Sequence, residues 1–228
     1  EIFVKKLNGK ARLEMLPKGF LNISNAGQAV LSRLNANPEW KRLPFSHRPE
    51  LSVDFLMGGV DSEAGRKVSY VLYFNEGERK MCGLAQFGSL TEGPKGCVHG
   101  GAMAALLDVA MGSVCWYSKL RAVTGNLTVN YRNLLPINST VFVESWIVSA
   151  EEGSRKVNVA ARLSPLCSDS TEKVATTDNV ATKSNQTEGS PLPYSESEGL
   201  FVRMANHPSS SSQNKLTERI VPRPASKL

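Results

Sequence analysis

Apolar residues come in one long run and several short ones along this chain. From Gly101 to Tyr117 the sequence is almost wholly apolar and built from good helix formers. It follows a loop, Glu92-Gly93-Pro94-Lys95-Gly96, too rich in breakers to be helical. A run of that length with apolar residues on every side predicts a helix buried in a core. Near its middle sits one carboxylate, Asp108. Burying an unpaired carboxylate costs several kcal/mol or forces it to take up a proton, so Asp108 needs a partner or a purpose.

The short runs read as strands. Lys67–Phe74 and Lys80–Phe87, separated by Asn75-Glu76-Gly77-Glu78, predict a hairpin that leads into the helix. After the helix, Val123–Tyr131 alternates, with Leu127, Val129 and Tyr131 on one face and polar residues on the other. Thr140–Val148, a turn at Glu151-Glu152-Gly153-Ser154, and Lys156–Leu163 give two more strands, and Gly199–Met204 a short last one. Residues 164–197 are rich in Ser, Thr, Asp and Asn without apolar periodicity, which predicts a long mobile loop. Residues 1–60 read as an N-terminal extension, in which Gln28–Leu34 can form a short amphipathic helix before Pro38, Pro44 and Pro49. From Asn206 the chain is polar, a flexible tail. The expected layout is an extension over 1–60, a domain over 61–205 with insert 164–197, and a tail over 206–228. That domain is α+β, an antiparallel sheet wrapped around one long central helix. One helix cannot cover both faces of so wide a sheet, so pairing of two copies fits this economy.

Composition changes this picture little. The 228 residues are 41% hydrophobic and 21% charged, ordinary for a soluble globular protein. The net charge of +6 fits simple solubility or affinity for an anionic ligand such as a phosphorylated cofactor. Basic residues are scattered, with no arginine-rich block, so no nucleic-acid partner is expected. Asp108 interrupts the longest apolar run, and no membrane span is expected. Cys82, Cys97, Cys115 and Cys167 show no CxxC spacing, and three widely spaced histidines complete no metal site with them. They read as reduced thiols of an intracellular protein.

At its ends, the sequence begins with Glu1 rather than Met, which suggests an incomplete N-terminus and leaves any presequence open. It finishes in Ser226-Lys227-Leu228, the peroxisomal import tripeptide read by a receptor at a free C-terminus. A peroxisomal location is therefore expected, with the cytosol or mitochondrion as alternatives.

The element order, together with three spaced polar positions, resembles the hotdog-fold acyl-coenzyme A thioesterases of the 4-hydroxybenzoyl-CoA thioesterase superfamily. The likeness is to the animal members that act on fatty acyl-CoA. In those, His-Gly-Gly opens the helix, an Asp follows nine residues after the His, and a Thr sixteen after the Asp. Here His99-Gly100-Gly101, Asp108 and Thr124 keep both spacings. Thr124-Gly125-Asn126-Leu127-Thr128-Val129-Asn130-Tyr131-Arg132 is similar to the family's Thr-Ala-Asn-Leu-x-x-Asn-Tyr-Lys/Arg. The resemblance covers roughly residues 60–204. Two departures are the longer 164–197 stretch and Asn133-Leu134 in place of the family's Arg-Pro.

The resemblance implies hydrolysis of an acyl-CoA thioester, with no cofactor beyond the CoA that is part of the substrate. Such a reaction needs a base or nucleophile, a polarised carbonyl and a grip on CoA. Asp108 can be the base or nucleophile; the bland alternative is a structural carboxylate. The N–H groups of Gly100 and Gly101, at a helix N-terminus, suit an oxyanion hole, unless the glycines only permit a tight turn. His99 would orient that turn or the thioester, or else is a loop histidine with no catalytic role. Thr124 would hydrogen-bond the attacking water or Asp108, unless it is simply a good strand residue. Asn130, Arg132, Arg155 and Lys156 match family positions that contact CoA, and otherwise are solvated strand ends. Cys97 lies two residues before His99, but loop neighbours do not align their side chains and no third group orients them, which argues against a Cys/His nucleophile.

Nine helical residues put His99 and Asp108 about 13 Å apart along the axis and half a turn round it. They form no dyad within one helix, whereas an antiparallel pair of helices brings Asp108 of one chain opposite the glycine turn of the other. The expected assembly is therefore a homodimer or a dimer of dimers. Two rivals remain at this stage: a hotdog hydratase or dehydratase, and a non-catalytic acyl-CoA-binding or assembly protein.

Overall fold

A single helix laid on one face of a wide antiparallel sheet makes the main core. The computed structural model describes residues 23–43, 67–166 and 192–204. In chain order these form α1 (Asn25–Ala36), β1 (Trp40–Arg42), β2 (Val68–Asn75), β3 (Lys80–Phe87), α2 (Gly100–Tyr117), β4 (Ala122–Tyr131), β5 (Thr140–Ser149), β6 (Lys156–Pro165) and β7 (Ser195–Arg203). The sheet runs β1-β2-β3-β5-β6-β7-β4, and every pairing is antiparallel. β4, which follows the helix directly, crosses to the far edge beside β7. This is the expected α+β hotdog arrangement.

α2 packs a stripe of Met103, Leu106, Leu107, Ala110, Met111, Val114 and Cys115 against the sheet. Those positions recur at the three- and four-residue spacing of one helical face. The expectation of burial on every side is therefore corrected. The opposite side, including Asp108, is only half-buried, and Trp116 is exposed. Periodicity could not reveal this, because small apolar residues such as Ala104, Ala105 and Val109 fill the solvent side too. By length and composition α2 could cross a membrane, but here its larger side chains meet the sheet.

The small inner residues of β7 let the helix approach. Ser195, Ser197 and Gly199 are buried on the α2 side, and the Ser197 hydroxyl donates to Met111 Sδ at 3.5 Å. A Cβ on Gly199 would lie 2.8 Å from the Phe201 ring and 3.3 Å from Met111 Sδ. The expected loop over 164–197 is accordingly corrected at both ends. Ser164 and Pro165 finish β6, and Ser195–Ser197 begin β7, which also absorbs the short strand expected at 199–204. Most of that stretch lies outside the described residues, as do Cys167, residues 44–66 and the tail with Ser226-Lys227-Leu228.

The other sheet face is partly covered by α1. Ser24 caps it, its hydroxyl accepting from the Gly27 N–H at 3.3 Å, and Val30, Leu31 and Leu34 pack on Val71, Tyr73, Leu84 and Phe142. α1 and β1 thus join the folded unit, although they precede the stretch 61–205.

On the same face sits a buried carboxylate, Glu144, 1% exposed. Burial alone would raise its pKa. Lys80 Nζ at 3.0 Å and Arg162 Nε at 2.6 Å outweigh that and bring it down to about 2. Arg162 also lies over the Trp146 ring, 5.6 Å from its centroid.

Candidate active site

The approach to α2 is pinned by backbone hydrogen bonds rather than left as a free loop. Val98 N–H donates to Leu135 O at 2.8 Å, His99 N–H to Thr91 O at 2.7 Å, and Gly93 N–H to Cys97 O at 2.9 Å. Gly93 has a steric reason to lack a side chain, since a Cβ there would lie 2.8 Å from His99 Cα. His99 is the N-cap, with extended backbone, and its Nδ1 accepts from the Gly101 N–H at 2.9 Å. Accepting that bond requires Nδ1 to be unprotonated, which places the ring proton on Nε2.

This corrects the expected oxyanion hole. The Gly101 N–H is already taken by the cap, so the two glycine donors are not equivalent. Gly100 is the first helical residue, where no preceding turn supplies a carbonyl for its N–H. Tyr131 braces it from β4: its hydroxyl donates to Gly100 O at 2.9 Å, and a Cβ on Gly100 would come within 3.1 Å of the ring. Sequence reasoning treated Tyr131 only as an apolar strand residue. The clue was its place on the same strand face as Leu127 and Val129, which turns toward the helix.

Two turns further along α2, Asp108 meets Thr124. The Thr124 hydroxyl donates to Asp108 Oδ1 at 2.7 Å, a short charge-assisted bond and the only one Asp108 receives among the described residues. Thr124 reaches the helix because of a bulge. Thr124 pairs with Phe201 and Asn126 with Leu200, leaving Gly125 unpaired between them. Strict alternation back from Tyr131, Val129 and Leu127 would send Thr124 to the outer face; the extra residue returns it to the helix side.

Asp108 with Thr124, and the His99–Gly101 turn with Tyr131, are thus two separate rungs between α2 and β4. Eight helical residues, about 12 Å of rise, separate Gly100 from Asp108. One chain does not bring them together. β4, an edge strand with Val123 52% exposed, has no partner on its outer side among the described residues.

The positions matching CoA contacts also divide. β4 and β7 run antiparallel with Ala122 opposite Arg203 and Tyr131 opposite Ser195. Asn130 and Arg132 therefore sit at one end of the sheet, Arg155 and Lys156 at the other. Arg132 is already ion-paired with Glu196, at 3.1 Å. No hydrogen bond joins Cys97 to His99 among the described residues, whose Nδ1 is engaged, so no Cys/His pair forms. Burial pushes the thiol of Cys115 up to about 12 and that of Cys82 well up, leaving both protonated at neutral pH.

The family model of the thioesterase superfamily matches residues 95–164, from the glycine-rich loop through β6. Over this stretch the chain is similar to thioesterase-superfamily domains. Acyl-coenzyme A thioesterase THEM4 of Xenopus laevis is 35% identical over 94 residues, 41% of this chain and 41% of its own. The protein of the same name from Rattus norvegicus is 31% identical over 144 residues, 54% of this chain and 61% of its own. The chain thus spans between about two fifths and three fifths of these curated relatives. Among solved structures, zebra fish thioesterase superfamily member 2 superposes with a TM-score of 0.43 at 13% identity, over 60% of this chain and 82% of its own. Both α2–β4 rungs fall inside the matched residues.

Proposed function

We propose that the protein hydrolyses an acyl-CoA thioester, with a fatty acyl group, to the free acid and CoA, and that two copies of the chain share each active site. The observation that carries this reading is the Asp108–Thr124 hydrogen bond on the half-buried side of the helix of a thioesterase-superfamily domain. The THEM4 relatives, named acyl-coenzyme A thioesterases, support the substrate class.

Asp108 acts as the general base. Thr124 fixes Oδ1, which leaves Oδ2 to take a proton from a water held against the hydroxyl of Thr124. The water oxygen adds to the thioester carbonyl, and the oxyanion forms against the Gly100 N–H at the positive end of α2. Collapse breaks the C–S bond, and the thiolate recovers the proton from Asp108. Serving one carbonyl with both rungs requires a partner chain about a two-fold axis. Antiparallel approach of two β4 edges sets the Asp108 end of one chain beside the Gly100 end of the other.

A hydratase would need His99 and Asp108 to act jointly. The cap bond from Gly101 to His99 Nδ1 and the separation along α2 disfavour that. The test is CoA release from a series of acyl-CoAs by wild type and Asp108→Asn. Release that falls by about a hundredfold or more in the variant supports the reading. Release insensitive to the substitution refutes the mechanism, and tight binding without release by wild type makes the protein a sensor.

A further inference from the structure

Three arginines without carboxylate partners converge on one cavity. It has a volume of about 430 Å³ and opens where the C-terminal end of α2, the start of β4, the β5–β6 turn and the end of β7 meet. Its walls include Lys119, Arg121, Arg155 and Arg203, and no Asp or Glu. Lys119 has an ordinary explanation: it pairs with Glu76 at 3.3 Å and stands just past a helix C-terminus, where the dipole favours a cation. That account does not extend to the arginines, two of which come from the neighbouring β5–β6 turn and the end of β7. Among the described residues none of the three has an ion pair.

Backbone bonds lock these arginines in place instead. Arg155 Nε donates to Arg203 O at 3.3 Å, Arg203 Nη2 to Ala150 O at 3.3 Å, and Met204 N–H to Arg121 O at 2.9 Å. The Arg203 Nε is buried with no hydrogen-bond partner, a donor left waiting for an acceptor. Lys119 and Arg121 both hold left-handed backbone, with φ of 62° and 43°. Residues with side chains adopt that conformation only where the surroundings impose it, often at ligand sites. Fixed like charges with no counter-charge repel one another until an anion arrives.

We propose that this cavity binds phosphate groups, those of the nucleotide end of the CoA substrate. Planar guanidinium groups match phosphate oxygens two at a time, and Leu120 and Met204 give the cavity an apolar wall beside them. The inference rests on the thioesterase reading and adds where the substrate's charge is recognised. From Asp108 to Tyr117, the last residue of α2, is nine helical residues, about 14 Å, a distance an extended pantetheine arm spans, and the cavity begins two residues further on at Lys119. Arg121, only three residues before Thr124, ties the cavity to the same rung of the site. Of the four positions matched to CoA contacts, Arg155 belongs here; Asn130 and Arg132 lie at the opposite end.

The test uses the full chain and its Arg121→Asn and Arg203→Gln variants; Asn tolerates the left-handed backbone at position 121. Adenosine 3′,5′-bisphosphate binding is measured by calorimetry, with adenosine and inorganic phosphate as competitors. We expect each variant to bind the bisphosphate about tenfold more weakly. The kcat/KM for an acyl-CoA, divided by that for the N-acetylcysteamine thioester of the same acid, should fall to match. Bisphosphate binding that is absent in wild type, or equal in all three proteins, overturns the proposal. Inorganic phosphate competing as well as the bisphosphate overturns the nucleotide assignment. Variant-sensitive binding in a wild type that hydrolyses neither thioester supports the cavity and refutes the hydrolase.

Discussion

The Thr124 hydroxyl donates to Asp108 Oδ1 across 2.7 Å, joining an edge strand to the middle of the central helix. The bond fixes one carboxylate oxygen and so decides which lone pairs of the other face solvent. Replacing Thr124 by Ala should lower kcat for CoA release by about ten- to a hundredfold with little change in thermal stability. Thr124→Ser, which keeps the hydroxyl, should recover most of that loss. A Ser variant as slow as the Ala variant would show that the methyl group, not the hydrogen bond, matters.

How Thr124 comes to face the helix also marks the limit of what the sequence discloses. The helix and strands β2 to β6 are legible from runs of apolar residues to within one or two positions, because each buries a long stripe. The polar-looking start of β7 is not, since Ser195, Ser197 and Gly199 are small in order to admit Met111, and small residues read as loop. Nor was β1, three residues among prolines, a strand pattern by itself. The spacing of His99, Asp108 and Thr124 gave the candidate site its members, but alternation in β4 would place Thr124 outward. The signal was Gly125, a glycine inside a strand, which often marks a bulge. Deleting Gly125 should reverse the facing of Thr124 and abolish the Asp108 bond. The expected outcome is a folded protein, by circular dichroism, with activity as low as Thr124→Ala.

His99 caps α2 through Nδ1, and a cap is a structural task another residue can perform. His99→Ala should destabilise the protein by about 1 kcal/mol, read from chemical denaturation, and His99→Asn should restore most of it, since Asn is a strong N-cap. If activity recovers with stability in the Asn variant, His99 acts by shaping the glycine turn. Stability that recovers while activity does not would assign the exposed Nε2–H a role in contact with substrate.

Glu144 predicts an acid limit to stability. Its pKa is held at about 2, below the ordinary 4.5, by Lys80 and Arg162 acting against burial. A depressed carboxyl stabilises the fold fully above its unfolded pKa, and that contribution disappears as pH falls from about 4.5 toward 2. The shift corresponds to roughly 3 kcal/mol. Glu144→Gln leaves two cations facing a neutral amide, so it should lower stability at pH 7 by about 3–5 kcal/mol. Its unfolding free energy should also lose much of the wild-type decline between pH 4.5 and 2. An unaltered acid slope in the variant would show that other carboxylates govern it.

The proposed sharing of each site between two chains makes a prediction that no intrachain site can satisfy. Asp108→Asn removes the proposed base, and Gly100→Val drives a side chain into Tyr131 and the proposed oxyanion position, so each homodimer should be inactive. In a heterodimer of the two, one site combines the intact Asp108 of the Gly100→Val chain with the intact Gly100 of the Asp108→Asn chain. The other site carries both lesions. Random exchange of equal amounts makes half the dimers mixed, each with one working site of two, so activity should return to about a quarter of wild type. Unfolding, mixing and refolding the two variants together, with each refolded alone as control, provides the measurement. Mixtures that stay as inactive as their components, while mass measurement shows that mixed dimers have formed, would place Asp108 and Gly100 in the service of one chain.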